Sequence, residues 1–265
     1  ETVRRTLHQA LLESSVVALQ VLWEGSLAGL TVTDLHDHLV GGQFVDTIRR
    51  GKYLGLRIDG SGYLGAHLRM TGRLVVCLAE KSREKHLRVV MVLDDGRELR
   101  FVDQRKFGKL FWADDEDAFE AIAHVGVEPL SAEFTPDALE SIFAGRKMQI
   151  KAALLDQQRI AGLGNIYCDE SLFRAGIHPQ RPAGSLTKSE IAVLWQAIQT
   201  SLRNALKNGG TSFSDYVDGQ GRQGENQHYL LVYGKAGEPC PRCGEMLQRI
   251  KVIGRGTTLC RRCQR

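Results

Sequence analysis

Cys240-Pro241-Arg242-Cys243 and Cys260-Arg261-Arg262-Cys263 lie near the C-terminal end, with sixteen residues between the pairs. Two residues between ligands let a tight turn aim both sulfurs at one tetrahedral ion. Sixteen residues suffice for a β-hairpin that returns the second pair to the same metal. Two disulfides or a redox pair are the alternatives. Zinc on Cys240, Cys243, Cys260 and Cys263 ranks above both, because a cytosolic setting keeps thiols reduced and each knuckle carries an arginine. Cys77 and Cys168 stand alone and are expected as small buried hydrophobes. The spacing predicts one structural zinc and is silent on activity.

The charge around this hairpin narrows the partner. From Lys235 onward eight basic residues face only Glu238 and Glu245, a local +6, whereas the whole chain of 265 residues carries +4. A basic module on a near-neutral body points to a polyanion, nucleic acid first. The chain is 43% hydrophobic and 25% charged, which excludes global disorder. No apolar run approaches the roughly 20 residues that span a bilayer, and the charged Glu1-Thr2-Val3-Arg4-Arg5 does not resemble a secretory signal. A cytoplasmic protein is expected.

Upstream, Val3, Leu7 and Leu11 predict a short amphipathic helix over 2–12. From Val16 to about Trp112, short runs of Val, Leu and Phe are cut by glycine turns. Leu87–Leu93 and Glu98–Val102 flank Asp94-Asp95-Gly96, a hairpin signature. Such strands predict an antiparallel sandwich or barrel. Beyond Asp114–Asp117 the pattern turns helical. Thr135-Pro136-Asp137 starts a helix that Gly145 stops. Helices are expected over 147–155 and 164–174. Thr187-x-x-Glu190 is a capping box ahead of the stripe Ile191, Leu194, Ile198, Leu202 and Leu206. Thr211–Gln227 lacks apolar periodicity and reads as a mobile loop.

Several loops offer chemistry. Gly162-Leu163-Gly164-Asn165 precedes a helix, where free backbone N–H groups and Asn165 suit a phosphate; the bland alternative is a packing turn. His67-Leu68-Arg69-Met70 and Asp103-Gln104-Arg105-Lys106-Phe107 each set a bulky apolar residue beside cations. Such residues wedge into DNA when a base is extruded, although Met70 and Phe107 taken alone slightly favour a core reading. Lys52 and His86 are ambiguous loop residues. Serine-hydrolase and zinc-protease motifs are absent.

Taken together, the opening Glu1–Arg5, Arg50-Gly51-Lys52, His67-Leu68-Arg69-Met70-x-Gly72-Arg73, Arg105-Lys106-Phe107-Gly108, Gly162-x-Gly164-Asn165-Ile166-Tyr167 and Gly254-Arg255…Cys260-x-x-Cys263-Gln264 resemble, in order, the bacterial formamidopyrimidine-DNA glycosylases. The resemblance implies an α+β multidomain chain. Its parts would be an N-terminal antiparallel β-sandwich (1–126), a helix–two-turn–helix domain with a lesion-capping loop (127–227) and a zinc-finger hairpin (228–265), with DNA held between them. It implies base-excision repair of 8-oxoguanine and formamidopyrimidines by base flipping, Schiff-base formation and β,δ-elimination, by a monomer acting on double-stranded DNA. Lys52 would donate a proton in β-elimination, and Arg255 would grip the lesion phosphates and serve δ-elimination. Met70, Arg105 and Phe107 would fill the void, which reverses the core reading. His86, Arg105, Lys147, Lys151, Asn165 and Arg255 would contact DNA. Family members carry Pro-Glu-Leu-Pro-Glu-Val directly before the Glu-Thr-Val that opens this sequence, including the proline whose amine attacks the sugar C1′ and its adjacent glutamate. Glu1 is not that glutamate. The sequence as given is therefore expected to bind DNA without excising 8-oxoguanine. A non-catalytic damaged-DNA binder and an endonuclease VIII-like pyrimidine-lesion enzyme are the alternatives.

Overall fold

The structure, a computed structural model, describes residues 1–213 and 216–265. It divides into two compact units, 1–124 with 208–227 and 125–207 with 228–265.

In the first unit, α1 (Thr2–Leu11) leads into β1 (Val16–Val21), α2 (Val32–Leu39), β2 (Phe44–Arg50), β3 (Tyr53–Ile58), β4 (Gly62–His67), β5 (Gly72–Leu78), β6 (Leu87–Leu93), β7 (Arg97–Asp103), β8 (Lys109–Ala113) and α3 (Glu116–Ala123). The strands form two antiparallel four-stranded sheets, ordered β1-β6-β7-β5 and β2-β3-β4-β8. Leu56 and Leu64 from one sheet meet Met91 and Phe101 from the other, and Leu7 and Leu11 of α1 close the same core. The sandwich buries its alternate residues as the sequence pattern requires. The hairpin expected at Asp94–Gly96 joins β6 to β7.

Within the stretch read as strands, α2 is an addition. Thr31 accepts from the Asp34 amide while the Asp34 carboxylate accepts from the Thr31 amide, a reciprocal box that nucleates it. Asp115 caps α3, so the acidic stretch serves a helix N-terminus. Cys77 is only half-buried, whereas Cys168 is fully buried.

Residues 208–227 group with the sandwich rather than with the helices. Among their described residues, Gly219 is hydrogen-bonded into it. The Val76 amide donates to the Gly219 carbonyl (2.8 Å) and the Gly219 amide to Thr6 Oγ1 (2.8 Å). Polar, glycine-rich sequence carries no apolar period yet satisfies backbone groups in this way. Ser214 and Asp215, part of the expected lesion-capping loop, lie outside the described residues.

The second unit holds α4 (Pro136–Phe143), α5 (Ile150–Leu155), α6 (Asn165–Ala175) and α7 (Lys188–Lys207), then the hairpin β9 (Gln248–Val252) and β10 (Arg255–Leu259). Thr135 caps α4 with Pro136 in its first turn. Thr187 and Glu190 form the expected box at α7. Two turns, at 156–160 and 161–164, separate α5 from α6. Leu139, Phe143, Leu154, Leu172, Leu194 and Ile198 share its core. Glu170 on α6 is buried, and its carboxylate accepts from the amides of Leu231, Val232 and Tyr233. That contact moors the segment entering the zinc hairpin. No helix among the described residues is long and apolar enough to cross a membrane.

Candidate nucleic-acid site

In the sandwich unit, a cavity of about 290 Å³ is lined by Glu1, Arg49, Lys52, His67, Met70 and Tyr216, among others. Lys52 sits in the two-residue turn between β2 and β3, whose first residue, Gly51, takes φ 55°. Arg49 Nη1 donates to the Gly51 carbonyl (3.0 Å) and its Nε to Glu1 (3.3 Å). Arg49 thus ties the turn that carries Lys52 to the start of α1. Burial raises the Glu1 carboxyl, but hydrogen bonds from Arg4 and Arg5 outweigh it and hold the group well below the usual carboxylate range.

His67, at the end of β4, stands edge-on to Tyr53 and accepts at Nδ1 from the Arg69 amide (3.1 Å). Burial first, then the charges of Arg69 and Lys52, lower its pKa to about 4. The imidazole is therefore neutral at physiological pH. A base whose folded pKa lies below its ordinary 6.5 takes up a proton on unfolding between those values. Its contribution to stability is present above about pH 6.5 and lost as pH falls towards 4. His67→Gln should flatten that limb of a plot of urea midpoint against pH. An identical limb in the variant would remove His67 as its cause.

Met70 and Phe107, at 66% and 51% exposure, stand on adjoining loops, which rules out the core reading for both. Arg105 joins them: its guanidinium lies 4.9 Å from the centre of the Phe107 ring, and its Nη1 reaches Met70 Sδ at 3.1 Å. Beneath them Asp103 is buried and collects the loops. Its carboxylate accepts from Thr71 Oγ1 (2.5 Å), the Gly108 amide (2.7 Å) and the Arg105 amide (3.2 Å), while Thr71 Oγ1 also accepts from the Arg105 amide (3.0 Å). Two glycines make this closure possible. A Cβ at Gly72 would lie 2.4 Å from the Leu68 carbonyl oxygen, and one at Gly108 2.7 Å from the Phe101 ring. Thr71 and Asp103 escaped the sequence reading because they are 32 residues apart. Their only local signal is a short polar residue beside each motif. His86 is half-buried, and its carbonyl accepts from the Asp103 amide (2.9 Å).

In the second unit, Arg255 is exposed at the first position of β10, after the tight turn Ile253-Gly254 in which both residues have positive φ. Lys147 is exposed ahead of α5. Lys151 requires a correction. It is 0% exposed, and its ammonium donates to Asp169 Oδ1 (2.5 Å) and Thr257 Oγ1 (2.7 Å), so a direct contact with DNA does not fit this position. Burial pushes the Asp169 carboxyl up to about 6 against the pull of Lys151. Asp169 Oδ2 also accepts from the Thr258 amide (3.1 Å). Asn165 Nδ2 is likewise turned inward, onto the Gly256 carbonyl (3.0 Å). Lys151, Asp169 and Asn165 thus brace β10 against α5 and α6, and they orient the strand that begins with Arg255.

The four tail cysteines are unbridged, with their sulfurs all within 4.8 Å of one another. The Cys240–Cys263 and Cys243–Cys260 sulfurs are 3.9 and 3.5 Å apart. A tetrahedral zinc at about 2.3 Å from each sulfur needs spacings of about 3.8 Å. The donor set fits a closed structural zinc site.

Known proteins place this geometry in context. Family models described as the formamidopyrimidine-DNA glycosylase N-terminal domain, its H2TH domain and a zinc finger found in FPG and IleRS match residues 1–110, 125–217 and 237–265. Curated relatives named formamidopyrimidine-DNA glycosylase include one from Symbiobacterium thermophilum, 47% identical over all of this chain and 87% of its own length. Another, from Moorella thermoacetica, is 46% identical over 95% of this chain and 92% of its own. Among solved structures, the Lactococcus lactis Fpg in complex with abasic-site DNA superposes with a TM-score of 0.93 at 35% identity, covering all of this chain and 97% of that one. A complex of the L. lactis protein with Fapy-dG DNA superposes at 0.91. The chain belongs to the formamidopyrimidine-DNA glycosylase family.

Proposed function

We propose that this protein, with the family's Pro-Glu-Leu-Pro-Glu-Val ahead of Glu1, excises oxidised purines, 8-oxoguanine and formamidopyrimidines, from duplex DNA and then cleaves the strand as an abasic-site lyase, acting in the cytoplasm. One observation carries the reading: an exposed Met70–Arg105–Phe107 wedge, braced from below, stands beside a cavity that presents Lys52. A wedge of this kind fills the gap left by an everted nucleotide, and the cavity beside it suits what has been turned out. The amine of the proline that family members carry ahead of this Glu1 adds to the sugar C1′ as the base departs, and Lys52 supplies a proton in the elimination that follows. Arg255, exposed on β10, holds phosphate and serves the second elimination. His86, Lys147 and the N-terminal end of α6 at Asn165 add contacts to the backbone, while Lys151 supports them from within.

The test is an excision assay on 8-oxoguanine and Fapy duplexes, with the family's Pro-Glu-Leu-Pro-Glu-Val placed ahead of Glu1. Base release with borohydride trapping is expected, and Lys52→Ala should slow strand cleavage more than base release. Affinity for the duplex should fall steeply with salt, at roughly −0.9 in the logarithmic slope for each phosphate neutralised. A flat salt response would count against DNA as the ligand.

A further inference from the structure

Trp23 lies in the turn after β1, and three cations converge on its ring. The Arg88 guanidinium carbon, Lys106 Nζ and Lys109 Nζ lie 5.6, 5.1 and 5.8 Å from its centre. Backbone carbonyls hold two of them: Arg88 Nε donates to the Asp103 carbonyl (2.9 Å) and Lys109 Nζ to the Gly25 carbonyl (2.5 Å). Among the described residues none of the three pairs with a carboxylate, although most arginines with a close polar partner in the sandwich unit do. Each charge lies within 5.8 Å of the ring centre, so any two are at most about 11 Å apart, and whatever repulsion salt leaves unscreened between them is a cost. The ring face offsets part of that cost. An anion laid across the cluster offsets the rest.

The backbone explains how the cluster relates to the wedge. Lys106 takes φ 61°, a left-handed conformation that a lysine adopts at a cost. Across this kink the side chains part: Arg105 and Phe107 lie together in the wedge, whereas Lys106 crosses to Trp23. One short loop therefore serves two surfaces.

We propose that Trp23, Arg88, Lys106 and Lys109 form a second DNA-binding surface that takes the phosphodiester backbone flanking the wedge. This rests on the DNA reading above and extends its footprint. Duplex DNA carries a charge about every 1.7 Å of its axis, so a cluster of this width meets more than one phosphate. The cations recognise charge and not bases, so the surface is indifferent to the lesion.

Lys106→Gln/Lys109→Gln in the full zinc-loaded chain tests this, with lesion and undamaged duplexes titrated over a salt series. The logarithmic salt slope is expected to fall by about 2, and affinity at low salt to drop by the same factor on both duplexes. Lys106→Gln alone should remove about half of that change; Lys106 is exposed and donates no hydrogen bond, so its replacement leaves the fold intact. Trp23→Leu, which changes no charge, should weaken both duplexes, with Trp23→Phe restoring most of the loss. An unchanged slope in folded variants overturns the proposal, as does a loss confined to the lesion duplex. A wild-type chain that fails to bind either duplex would sink the DNA reading itself.

Discussion

Cys260→Ser, or removal of zinc by a chelator, is expected to unfold the C-terminal hairpin and to lower duplex affinity by about 100-fold or more. The hairpin has almost no core of its own. Its buried apolar cluster comprises Phe173, Val232, Leu247 and two of the cysteines, Cys240 and Cys260. Four or five side chains cannot offset the ordering of about thirty residues, whereas a four-sulfur zinc site contributes on the order of 10 kcal/mol to folding. Without the metal, β10 loses its pairing with β9, and Arg255 loses its fixed position beside the α6 terminus. Losing the two charge-assisted hydrogen bonds of a bidentate Arg255–phosphate contact, at about 1.5 kcal/mol or more each, gives the stated factor. The sandwich has an independent core, so its melting transition should persist. Metal analysis should give one zinc per wild-type chain and none per variant. Full affinity in a zinc-free protein would show that the hairpin plays no part in holding DNA.

Legibility of the molecule in its sequence follows the range of the interactions involved. The cysteine knuckles, the β6–β7 hairpin and the caps at Thr135 and Thr187 are decided within a few residues, and each stands as read. The helix α2 carries a signal in Thr31-x-x-Asp34, but a capping box with aspartate in place of glutamate stands out little in a stretch that otherwise reads as strand. Lys151 shows the opposite failure. The family resemblance makes Lys151 a DNA contact, but Asp169 and Thr257, 18 and 106 residues away, bury it. The same holds for the Gly219 amide, whose partner Thr6 is 213 residues distant. Motifs name the residues that meet a ligand. The buried groups that aim them are set by tertiary contacts, and no local pattern records those.

Phe107→Ala and Asp103→Ala are expected to separate what touches DNA from what aims it. Half of the Phe107 side chain is already in water, so its truncation should cost far less than the about 3–5 kcal/mol of a buried phenylalanine. If the ring stacks in the gap left by an everted base, lesion affinity should nevertheless fall by about 1–3 kcal/mol, roughly 5- to 150-fold. Asp103→Ala acts from below. It strands the Gly108 amide and the Thr71 hydroxyl in a buried setting, where each unsatisfied group costs about 1–3 kcal/mol, and leaves the Arg105 amide with Thr71 Oγ1 alone. The variant should therefore lose stability as well as lesion affinity. Its wedge would be present but no longer held at one height above the sheet. The double variant decides between aiming and mere stability. If Asp103 acts through the wedge, adding Phe107→Ala to Asp103→Ala should weaken lesion binding much less than Phe107→Ala does alone, with the measurements made well below the melting temperature of each protein. Strictly additive losses would mean that Asp103 supports the fold and leaves the wedge alone.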